Sequence, residues 1–115
     1  MQTLSPADIT HYTYRVTWSA EDEEFVATCL EFPALSWLAP SQIEALTGLA
    51  DLIRETVADM QGQGEPVPAP LAERSYSGKF NLRVGEALHR RLAIEAAEEQ
   101  VSINQLIVRR LSAAG

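Results

Sequence analysis

The chain has 115 residues, 46% of them hydrophobic and 22% charged, with a formal net charge of −7. This is apolar material for one domain of common size or two small ones, and it excludes a chain dominated by disorder. No uninterrupted apolar run approaches the roughly 20 residues of a membrane span, and the start, MQTLSPADIT, has no basic patch followed by an apolar segment, so a soluble cytoplasmic protein is expected.

The first periodic segment is YTYRVTW, where Tyr12, Tyr14, Val16 and Trp18 alternate with Thr13, Arg15 and Thr17. A period of two predicts a half-buried strand. SAEDEE follows as a polar turn and FVATCL as a second strand, giving a hairpin around Glu21 to Glu24. A third strand is expected over Ala34 to Leu38, bounded by Pro33 and Pro40. Cys29, the only cysteine, lies in the second strand and reads as a buried structural thiol; no disulfide, metal cluster or cofactor is expected.

Pro40-Ser41-Gln42-Ile43-Glu44 predicts a helix start, with Ser41 as cap and Glu44 reaching back to the N–H of the cap. Leu46, Leu49, Ile53, Val57 and Met60 then form an apolar stripe, and the helix is expected to end near Gly62 to Gly64. Glycine and proline concentrate after it, so residues 65–76 are expected to be a linker between a domain over 1–64 and another over 77–115.

Charge divides at the same place. Residues 1–76 carry three basic against twelve acidic side chains, net −9, and residues 77–115 carry six against four, net +2. Two unlike modules joined in one chain suggest two partners of different charge.

The last part begins with KFNLRV. Phe80, Leu82 and Val84 alternate with Lys79, Asn81 and Arg83, which predicts a strand with one apolar and one polar face. Glu86 to Glu99 follows as a helix with Leu88, Leu92 and Ala96 on one face. After a turn at Gln100-Val101, Ser102 and Gln105 form a capping box for a second helix striped by Ile103, Leu106, Ile107 and Leu111. A piece this small, with one strand and no staple, cannot bury enough surface or satisfy its strand's backbone alone. A second copy solves both problems if the two strands pair antiparallel, with Phe80, Leu82, Val84, Leu92, Leu106 and Ile107 in the shared core.

The other face of such a ribbon presents Lys79, Asn81 and Arg83 twice. Arg and Lys suit guanine and Asn suits adenine, and a two-stranded ribbon fits the major groove. The start of the second helix, at Ser102, Ile103 and Asn104, would meet backbone phosphate. The arginines at 90, 91, 109 and 110 are expected to face solvent, with phosphate as a further partner.

SGKFNLRV, LHRRLAIEAA and VSINQLIVRRL resemble the ribbon-helix-helix fold of Arc-type repressors, and the strand-rich N-terminal part followed by a helix and a Pro-rich segment resembles the HicB family of antitoxins. The resemblance departs at Gly85, where HicB-like sequences often have proline. It implies an α+β chain: an N-terminal antiparallel sheet with one packed helix, similar to a partial ribonuclease H fold, and a C-terminal ribbon-helix-helix that dimerises through its strand. It also implies an antitoxin that neutralises a HicA-like toxin, a small basic ribonuclease, and represses its own operon as a homodimer or tetramer on operator DNA. The alternative is a stand-alone ribbon-helix-helix repressor whose N-terminal domain serves oligomerisation or ligand sensing.

No catalysis is expected. Glu21, Asp22, Glu23 and Glu24 crowd one turn instead of converging from separate strands as two-metal nuclease chemistry needs, and Glu31 and Asp51 are isolated in sequence. His11 and His89 have no triad spacing, and Trp18 and Trp37 read as sheet-face packing.

Overall fold

The computed structural model describes residues 6–114. Residues 1–5, half of the start read above as carrying no leader, lie outside the described residues, as does Gly115. The chain divides into two compact units, Met1–Tyr76 and Ser77–Gly115, and its architecture is α+β.

In the first unit β1 (Tyr14–Ser19), β2 (Glu24–Cys29) and β3 (Ser36–Ala39) form an antiparallel sheet in the order β1-β2-β3. The hairpin turn closes with Asp22 N–H on Ser19 Oγ at 3.3 Å and with Glu23 in the left-handed region at φ 52. Tyr12, expected inside the first strand, precedes it, and its buried ring meets Phe32 edge to face at 5.3 Å. The third strand begins two residues later than the expected Ala34, because Phe32 to Leu35 form a turn closed by Leu35 N–H on the Phe32 carbonyl.

α1 (Gln42–Gly62) covers one face of this sheet. Ser41 caps it as expected, accepting the Glu44 N–H at 3.1 Å, but the Glu44 carboxylate accepts the Ser41 hydroxyl and not the cap's own N–H. The buried stripe runs through Ala45, Leu49, Ile53 and Val57, with Ala45 in place of the expected Leu46. Small side chains explain the substitution of roles. Ala27 and Ala39 on the sheet and Ala45 on the helix are all buried, which lets the two layers approach closely. Gly48 serves the same end: a Cβ there would stand 2.1 Å from the Trp37 indole, so only glycine admits the ring.

Residues 65–76 are not the free linker expected from their prolines. They pack on the first unit as a strap, with Pro70 fully buried, and Tyr12 donates its hydroxyl to the Pro68 carbonyl at 2.7 Å. His11 pairs with Glu73. The main clamp is Glu31, which is only 8% exposed and not isolated at all. One carboxylate oxygen accepts the Thr13 N–H at 2.9 Å and the Cys29 thiol at 3.4 Å; the other accepts the Leu71 N–H at 2.9 Å and the Thr13 hydroxyl at 3.1 Å. Proline explains the arrangement: a segment unable to build its own ladder can still lend its few N–H groups to a side-chain acceptor.

In the second unit α2 (Glu86–Glu99) and α3 (Ile103–Ala114) pack through buried Leu92, Ala96 and Leu106, flanked by Val84, Val101, Ile103 and Ile107. α2 ends on Gln100 in the left-handed conformation, with Val101 N–H on the Ala96 carbonyl at 3.0 Å. The strand expected over residues 79–84 is not a hydrogen-bonded strand within one chain. A ladder needs a neighbour, and no other described segment of the second unit is extended beside it.

Burial alone would raise the Glu31 pKa, but the N–H donors of Leu71 and Thr13 outweigh it and hold the carboxyl below its ordinary value. A folded value below the unfolded one means that the stability gained is complete above the ordinary glutamate range and is lost as the pH falls through the folded value. Glu31→Gln should therefore lower the stability of the first unit at neutral pH by about 1–3 kcal/mol and flatten the acid limb of its pH–stability curve. Denaturant titrations between acid and neutral pH check this; an unchanged acid limb would contradict the clamp.

Candidate nucleic-acid and pairing interface

The segment Lys79–Val84 is bracketed by two glycines with positive φ, Gly78 at 82° and Gly85 at 83°. These conformations are accessible to glycine without strain, and they turn the chain into and out of the segment. At its entry the Ser77 hydroxyl accepts the Lys79 N–H and donates to the Lys79 carbonyl, both at 3.1 Å. Lys79, Asn81 and Arg83 are exposed, as groups that are to reach a ligand must be. Phe80 and Leu82 are exposed too, at 79% and 58%, while Val84 is partly buried against the helices. An apolar pair left in water is costly, and the backbone beside it, solvated while exposed, would need partners once that pair is covered.

Of the six residues assigned to a dimer core, Leu92 and Leu106 are already buried, Val84 and Ile107 are partly buried, and Phe80 and Leu82 are uncovered. An open groove runs beside the segment, lined by Leu82, Val84, His89, Leu92, Ile103 and Ile107. Ile94 and Val108 are exposed apolar residues outside the stripes read from the sequence, joining Leu88 and Leu111.

α3 begins with a complete capping box. Ser102 Oγ accepts the Gln105 N–H at 3.0 Å, and Gln105 Oε1 accepts the Ser102 N–H at 2.9 Å. The box fixes the first turn and leaves the N–H groups of Ile103 and Asn104 without helical partners, as at any helix start. Among the described residues, Lys79, Arg83, Arg90 and Arg91 have no ion-pair partner, whereas Arg109 pairs with Glu99 at 2.8 Å and Arg110 with Glu95. The last two arginines thus tie α3 to α2. Sequence spacing could not show this, because the pairs join different helices.

Among the described residues no group of three or more His, Cys, Asp or Glu side chains could hold a metal ion. His11 is held by Glu73, and His89 is exposed on the groove. Cys29 is a buried free thiol whose pKa is raised, chiefly by that burial. Among the described residues no helix is long and apolar enough to cross a membrane.

Residues 63–111 match a family model described as the HicB family. The matched stretch takes in the strap, the segment, α2 and most of α3, and leaves the sheet and all of α1 outside. No curated protein and no solved structure matches the chain.

Ser102→Ala removes the acceptor of the Gln105 N–H and should destabilise the second unit by about 1 kcal/mol. Denaturant unfolding followed by far-ultraviolet circular dichroism measures it; an unchanged midpoint for the helical transition would show that the cap is dispensable.

Proposed function

We propose that the protein is an antitoxin of the HicA/HicB type that also represses its own operon. The observation that carries this reading is the segment Lys79–Val84: alternating, without a ladder within its unit, with Phe80 and Leu82 uncovered beside two helices, the second with a capped start. A second copy would supply antiparallel partners for its N–H and C=O groups. The same pairing would bring both sets of Phe80, Leu82 and Val84 over the helices, giving the ribbon-helix-helix arrangement.

The outward face of the ribbon then holds two copies each of Lys79, Asn81 and Arg83. Such a row enters the major groove and reads base edges, arginine and lysine at guanine and asparagine at adenine. Phosphate at the start of α3, at Ser102, Ile103 and Asn104, fixes the register without reading sequence. The unpaired Arg90 and Arg91 add positive charge to the same unit.

The match to the HicB family over residues 63–111 supports a toxin partner of HicA type for the chain, and the first unit is the module assigned to bind it. The net charge of −9 over residues 1–76 suits a protein whose own surface is built to hold RNA phosphates, and it would speed the encounter. The role is one of binding, with no catalytic step assigned to any residue. A second reading, a stand-alone repressor, is favoured by the family match stopping short of the sheet. The adjacent reading frame separates the two: a small basic protein encoded there supports the antitoxin.

Arg83→Ala should cost about 1–3 kcal/mol of specific binding for each base pair it contacts, against a promoter fragment from upstream of the gene. Gel-shift titration at fixed salt reads the loss; unaltered affinity would contradict the groove assignment.

A further inference from the structure

The first unit has an apolar face that its own helix leaves uncovered. Trp18, Phe25 and Ala39 are cross-strand neighbours and so share one face of the sheet, the face that α1 covers. Ala39 is buried there, yet Trp18, stacked edge to face on Phe25 at 5.1 Å, remains 55% exposed. The cause is the position of the helix, which packs over β2 and β3 and touches β1 least.

The helix shows the same side open. Gly48 lies against Trp37, so that flank of α1 faces β3. At about 100° per residue, Leu46 and Ile43 fall on the opposite flank of the buried stripe, the flank facing β1. Both are exposed, Ile43 at 80%. The short 3-10 turn Pro6–His11, which leads into β1 and packs on α1, lies at the Tyr14 end of the strand; Trp18 is at the other end.

Charge at the Trp18 end of this face has one sign: the turn after β1 carries Glu21, Asp22 and Glu23, and β2 opens with Glu24. Of the three basic residues of the unit, Arg15 is on the other face of β1 and Arg74 is in the strap, donating to the Ala69 carbonyl, while Arg54 shares the Ile43 flank of α1 but lies about three turns further along, toward the Tyr14 end, paired with Asp51. A second copy placed here would set carboxylates against carboxylates. A basic surface would meet opposite charge at the rim and find in Trp18 both an apolar anchor and a π face for lysine or arginine.

We infer that Trp18, Ile43 and Leu46 form the docking face for a protein with a basic surface. This rests on the toxin-binding reading and specifies where on the first unit the toxin sits.

The test uses the full chain and, as probe, the small basic protein of the adjacent reading frame, inactivated at its catalytic residue and titrated by calorimetry. Ile43→Arg should weaken binding at least tenfold with the thermal melt unchanged. Ile43→Ser should weaken it less, and Thr28→Arg, on the opposite sheet face, should leave it unchanged. Binding by Ile43→Arg equal to that of the wild type would overturn the docking face while leaving the antitoxin reading intact. A wild-type chain that does not bind the probe overturns both. A change in oligomeric state on Ile43→Arg, seen by sedimentation, would give the face to a second copy and overturn the inference.

Discussion

The C-terminal unit turns on one feature that no ladder of its own covers: six residues of extended-pattern backbone, two of them presenting Phe80 and Leu82 to water. Buried backbone groups must be paired and large apolar side chains covered, and the two helices behind the segment are too short to do either for it. The glycines at 78 and 85 hold the segment between them, and the capped start of α3 stands ready on the same unit. In the proposed dimer one association step completes the fold and creates the DNA-reading surface, so folding and function share a single driving force.

The N-terminal unit solves a different problem. Its three-stranded sheet is covered by one helix, brought close by alanine at 27, 39 and 45 and by glycine at 48, and closed at one end by the Pro-rich strap. Glu31 is the chemical centre of that closure, because a buried carboxylate is tolerable only where donors surround it. Two donors come from Thr13 just before β1, one from Cys29 and one from Leu71 in the strap. The strap therefore belongs to the first unit up to the point where the second begins.

Elements with a strong period were legible in the sequence. The hairpin, the Ser41 and Ser102 caps, and α2 over 86–99 followed from alternation and capping chemistry, which are local. What was illegible depends on contacts between distant residues. Glu31 looked isolated because its backbone donors, Thr13 and Leu71, lie 18 and 40 positions away, proline suggested a linker where tertiary packing made a strap, and Leu46 outranked Ala45 on hydrophobicity although close layers prefer the smaller residue. Of the candidate site, the alternation of the segment and its exposed polar row were readable; the pairing of Arg109 and Arg110 with α2 was not.

Pairing of the segment between two copies is the central claim, and amide hydrogen exchange on the full chain, followed over a range of protein concentrations, tests it most directly. The account predicts that alternate amides of residues 79–84 become protected as concentration rises and the dimer fills, in step with the rise in sedimenting mass. Rapid exchange throughout that segment at concentrations where two copies are associated would contradict it.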